Sequence, residues 1–239
     1  MRISVLELAK TAKQIGPQAV TKLFQICRSR VRFALGVRPL SERWGDRGWP
    51  MHRDYLDLFL HEVSSVIRGR CLEFQEDAYT SRFGGDRVSS VDILHRDPGN
   101  PNATIVADLT KGNGLPSDFF DCIICTYVLH VVFDFEKMVA ELHRILKPNG
   151  VLLVAVPHIT ICYPEHHELW RFTEEGLRLL LASHFGAGNV MVRGYGNSLT
   201  AAGWLRGLVA RDFTRAELEY HDPRFAMVLC ASAIKGAGY

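Results

Sequence analysis

The stretch ICYPEHHELWRFT (161–173) sets Glu165, His166, His167, Trp170 and Arg171 within a few positions of one another. Histidine titrates near neutral pH, so such a stretch offers a group able to take a proton from a weakly acidic hydroxyl. His130 and His158 each follow an apolar run that reads as a buried strand. In open α/β sheets ligands bind beyond the carboxyl ends of the strands, so these imidazoles should converge on one site mouth. His158 and His166 are the candidates for the base, and each can equally be read as a hydrogen-bonded structural or surface residue. Adjacent histidines without a second spaced pair are a weak metal pattern, so no metal site is expected. Cys122 and Cys125 form a CxxC, but within DCIICTYVL, read as a strand, positions three apart point to opposite faces.

The elements that must position these groups follow from periodicity. Apolar runs at 71–75, 87–94, 103–109, 121–129, 150–157, 189–195 and 224–234 predict strands. FEKMVAELHRIL (135–146) predicts a helix with Asp134 as its N-cap and Pro148-Asn149-Gly150 as its stop. Further helices are expected over 55–67, 173–183 and the run SLTAAGWLRGLVARDF. Strands apolar on both faces and separated by helices imply a parallel sheet covered on both sides. The expectation is an α/β fold: a doubly wound, mostly parallel, Rossmann-like seven-stranded sheet whose last strand is antiparallel. Two basic helical stretches, parted near Gly16-Pro17, precede it, so residues 1–50 read as an extension and linker and 51–239 as the α/β domain.

Charge is unevenly placed. The 239 residues carry a net +2, yet residues 1–40 hold eight Lys and Arg against Glu7 alone, a local +7. That basic segment reads either as a solvated face or as a contact with anionic lipid or a protein partner. The body is acidic and lacks a basic stripe interleaved with aromatics, so nucleic acid is not expected. No apolar run reaches a membrane span, and Lys10, Lys13 and Lys22 interrupt any secretory pattern, so a cytoplasmic location is expected.

ATIVADLTKGNGLPSDFFDCIICTYVLHVVFDFEKMVAELHRILKPNGVLLVAVP resembles the middle of the class I S-adenosylmethionine-dependent methyltransferases. The matching features are ADL at the end of the third strand, LPSDFFD before the fourth, VLHVV after it and LHRILKPNG opening the fifth. SERWGDRGWPMHRDYLDLFL and AYTSRFGGDRVSSVDILH further resemble a bacterial subgroup of such proteins. The resemblance implies S-adenosylmethionine as cofactor, with Glu73 as the acid closing the first strand, Asp92 facing the ribose hydroxyls and Asp108 on the adenine side. It also implies that the acceptor is a small molecule or a glycan, and Tyr127 and His130, which follow the fourth strand, are expected to line the cofactor pocket.

One motif departs from that family. In GRCLEFQEDAY (69–79), Gln75 and Asp77 stand where the family has glycines, with Tyr79 close behind. Without glycines a pyrophosphate has no cradle, which disfavours a dinucleotide, whereas S-adenosylmethionine carries no phosphate. Two outcomes follow. Either the loop swings outward, with Gly84-Gly85 giving close backbone approach and Tyr79 or Thr80 touching the methionyl end, or the pocket is closed. The first gives an O-methyltransferase of a small-molecule or glycan acceptor. The second gives a cofactor-free interaction subunit of a glycan-modifying pathway.

Overall fold

The structure, a computed structural model, describes residues 17–34, 37–43, 46–112 and 114–237. The helical pattern expected before Gly16 lies outside these residues. Helix α1 (Pro17–Ala34) opens on the proline that the sequence marks as a break, where a missing N–H costs nothing. Helix α2 (Met51–Glu62) leads into β1 (Gly69–Phe74), β2 (Val88–His95), β3 (Ile105–Val106) and β4 (Phe120–Thr126). Then come α3 (Phe135–Ile145), β5 (Leu146–Pro157), α4 (Glu174–Phe185), β6 (Val190–Tyr195), α5 (Ser198–Leu205), α6 (Arg215–Glu219) and β7 (Val228–Ile234).

These strands form one sheet in the order β3-β2-β1-β4-β5-β7-β6. Strands β1 to β5 pair in parallel, while β7 runs antiparallel to both β5 and β6. Side chains alternate between two cores. Leu152, Val154 and Val156 of β5 join α3 and α4 on one face, and Val151, Leu153 and Ala155 join α2 and α5 on the other. Cys125 falls in the first core and Cys122 in the second, as the strand period requires.

The winding is incomplete on the β2–β3 side. Among the described residues the connections 96–104 and 107–119 carry no helix, and the β1–β2 crossover is a wide helical turn, Thr80–Gly84, followed by Gly85–Arg87. The expected strand 103–109 shrinks to Ile105–Val106, which pairs only with the end of β2. At the other end of the crossover, Gly69 holds φ 69°, and a Cβ there would sit 2.6 Å from the Asp121 carboxylate. That carboxylate accepts from Arg70 N and Lys147 Nζ, each at 2.8 Å, and so ties β1, β4 and β5 together.

Asp134 stands at the N-cap position of α3 but makes no capping bond; its carboxylate pairs with Lys137 instead. Thr173, by contrast, caps α4 by accepting from Gly176 N. The N-terminal extension is fastened to the segment between β6 and β7. Ile26 is buried, Ser29 Oγ donates to Asp212 Oδ1 at 2.7 Å, and Arg30 and Arg47 pair with Glu217 and Asp212.

Candidate functional site

Two cavities open at the carboxyl ends of the parallel strands. The first, a cavity of about 290 Å³, is lined by residues from the start of α2 (His52, Arg53), the end of β4 (Tyr127, His130), the end of β5 (Pro157) and the segment 159–168. Trp204 and Met227 close its far wall. The second, of about 340 Å³, lies between the ends of β1 and β2 and is bordered by Gln75, Glu76, His95, Gly99 and Asn100. Gln75 lines both, so it stands at their junction.

The loop after β1 explains how this junction forms without glycine. Gln75 holds φ 70°, the left-handed conformation that a glycine would take at no cost. Two bonds fix it there: Gln75 N donates to Leu94 O at 3.0 Å, and its carbonyl accepts from Asn100 Nδ2 at 2.6 Å. Gln75, Glu76, Asp77 and Ala78 are all exposed, so the loop carries its side chains outward. Asp77 begins the crossover turn by accepting from Ser81 N and Ser81 Oγ, and is not among the residues bordering either cavity. Gly84 and Gly85 do not approach a ligand space. A Cβ on Gly84 would lie 2.4 Å from Val88, so that glycine serves packing.

Glu73 is 1% exposed and spends both oxygens on the loop, accepting from Tyr79 N at 3.0 Å and Thr80 N at 2.7 Å. Burial pushes its carboxyl up to about 7, against the opposing pull of these bonds. Tyr79 is itself buried, its hydroxyl accepting from Arg53 at 3.2 Å. Asp92 sits within β2, three positions short of its end, and its carboxylate binds Arg70 at 2.7 and 2.8 Å and Thr104 Oγ1 at 3.2 Å. The strand runs on past Asp92 to His95, and His95, not Asp92, borders the crevice. Asp108 closes a turn on Thr110 and Lys111, and its carboxyl is held low chiefly by the Thr110 hydroxyl.

His158 stands between two residues that line the first cavity and is not itself among the lining residues. Its Nδ1 donates to Phe172 O at 2.7 Å, while its neighbours Pro157 and Ile159 line the cavity. His166 does line the cavity, is exposed, and meets the ring of Tyr163 edge-on at 5.8 Å. Tyr127 and His130 line it as well. Tyr127 takes φ 55° and donates its hydroxyl to His52 O at 3.2 Å. His130 is buried, and burial, then Arg171 and His166, lower its pKa to about 4. His52 is lowered to about 3 by burial and by Arg53, so both imidazoles are neutral at pH 7. Sequence reasoning overlooked His52, Arg53, His95, Tyr163 and Trp204. For His52 and Arg53 the signal was available, because HRD follows Pro50 and so opens a helix aimed at the sheet.

Residues 82–154 match a family profile described as a methyltransferase domain. A probable polyketide synthase of Dictyostelium discoideum is 35% identical over 72 residues, covering 28% of this chain and 3% of that protein. The chain thus spans only a few per cent of the length of the curated relatives it matches. Among solved structures, a SAM-dependent methyltransferase from Archaeoglobus fulgidus superposes with a TM-score of 0.52 at 11% identity, over 79% of this chain and 96% of that one. The cyclase SpnF superposes with a TM-score of 0.51 at 14% identity, over 92% and 96%.

Proposed function

We propose, for a chain that belongs to the S-adenosylmethionine-dependent methyltransferase family, that it methylates a hydroxyl of a small-molecule or glycan acceptor held in the His52–Trp204 cavity. A cytoplasmic location goes with this reading; among the described residues no helix is long and apolar enough to cross a membrane. The carrying observation is Gln75, which keeps a glycine-like φ of 70° at the meeting point of two cavities. The residues present fit the cofactor: Glu76, His95 and Asn100 offer polar partners to a nucleoside diol on one side of Gln75. On the other side, Arg53 suits a carboxylate and the aromatic wall of Tyr127 suits a sulfonium.

When bound, S-adenosylmethionine supplies an electrophilic methyl group. The chain's own part is positioning and proton transfer. His166 takes the proton of the acceptor hydroxyl, while Tyr127 and the neutral His130 shape the wall against which the acceptor rests. His166 rather than His158 is taken as the base, because His166 borders the cavity and His158 does not.

The test incubates the purified protein with methyl-labelled S-adenosylmethionine and hydroxylated small molecules and oligosaccharides. Label should enter an alkali-stable ether, and His166→Asn should lower the rate about 100-fold. Label appearing only in other products would remove the oxygen-acceptor assignment, and an unchanged rate in that variant would remove His166 as the base. A second reading, the cofactor-free interaction subunit, is favoured by one observation: Glu73 and Asp92 both spend their carboxylates on the protein itself.

A further inference from the structure

Helix α1 is fastened by one side only. Ile26, Ser29 and Arg30 face the segment 209–217, whereas Val20, Leu23, Phe24 and Val31 are 45%, 54%, 68% and 62% exposed. With the exposed Cys27, these side chains recur at intervals of three and four and make a continuous apolar stripe along the helix. The stripe lies about a third of a turn around the helix from the docked side, so the docking bonds fix the direction in which it points.

Between α1 and the body runs an open groove lined by Gln18, Thr21, Lys22, Gln25 and Arg211. Lys22 and Arg211 are exposed, and neither meets a carboxylate among the described residues. The groove therefore presents two cations and several hydrogen-bonding groups beside an apolar ridge. Residues 1–40 as a whole carry +7. A protein partner with an apolar surface would satisfy the ridge alone. An anionic phospholipid satisfies both features, with acyl chains against Leu23 and Phe24 and a headgroup phosphate against Lys22 and Arg211.

We propose that α1 is a peripheral membrane anchor that seats the protein on an anionic lipid surface, with the Lys22–Arg211 groove as its headgroup contact. This stands independently of the methyl-transfer reading, since no residue of the two strand-end cavities takes part.

The experiment is co-sedimentation of the full chain with phosphatidylcholine vesicles and with phosphatidylcholine–phosphatidylglycerol vesicles. The expected result is binding to the anionic vesicles that weakens with salt and falls about tenfold in Leu23→Asp/Phe24→Asp and in Lys22→Glu/Arg211→Glu. All four substituted side chains are exposed, and circular dichroism checks that both variants keep the fold. Failure to sediment with anionic vesicles overturns the proposal. So does equal binding to both vesicle types, which removes the headgroup contact. Concentration-dependent self-association that the Leu23/Phe24 variant abolishes, without vesicle binding, overturns it in favour of a second copy of the chain.

Discussion

Gln75 occupies a left-handed backbone position at which a non-glycine residue costs about 1 kcal/mol. That cost is tolerated because Leu94 and Asn100 hold its backbone from both sides. The sequence shows a glycine missing; it does not show that the turn survives the loss. Glu73 and Asp92 make the complementary point. Both were found by motif, but a carboxylate's partner depends on where its strand ends, and β2 continues three residues past Asp92. Asp92→Ala should accordingly leave affinity for S-adenosylhomocysteine unchanged in a titration, while lowering stability to denaturant by about 1–2 kcal/mol through loss of the Arg70 contact. Glu73 carries a pH signature. Its pKa is raised in the fold, so its contribution is fully present below its ordinary value of 4.5 and is lost as pH rises through about 7. Melting temperatures measured from about pH 5 to about pH 8 should therefore fall more for the wild type than for Glu73→Gln. Parallel profiles would exclude a raised pKa.

At the scale of elements, long periodic segments were the legible ones. Helix α3 and strands β1, β2, β4, β5 and β6 fall within a few residues of their expected limits, because burial on one or both faces imposes a period that the sequence must obey. The run 103–109 misled for the opposite reason: apolar residues at a sheet edge need not pair, and only Ile105 and Val106 do. The closing strand starts at Val228 rather than 224, since Pro223–Phe225 turns first. Docking of α1 was illegible, because it rests on contacts across more than 180 positions of sequence. Asp212 is the centre of that contact, 2% exposed and bound to Ser29, Arg47 and Val209 N. Asp212→Ala strands these donors and should cost about 2–4 kcal/mol. Limited proteolysis should then cut within α1 while the sheet resists; cleavage at the wild-type rate would show that α1 is held by something else.

For the whole molecule, the sheet brings β1, β2, β4 and β5 to one crevice, and every side chain assigned to cofactor or acceptor borders it. The family likeness and the order of elements were readable, since they rest on strand spacing and turn residues. The cavity wall was only partly so: Trp204 reaches it from α5, where its Nε1 donates to Thr160 Oγ1 at 2.9 Å, a pairing no local pattern announces. The account stands on the claim that the glycine-poor turn leaves the crevice open to the cofactor. Calorimetric titration of wild type, Gln75→Gly and Arg53→Met with S-adenosylhomocysteine tests it most directly. The account predicts binding at about micromolar concentration, tighter by several-fold in Gln75→Gly and weaker by about tenfold in Arg53→Met. Absence of binding by all three up to about millimolar concentration would contradict it and leave the cofactor-free reading in its place.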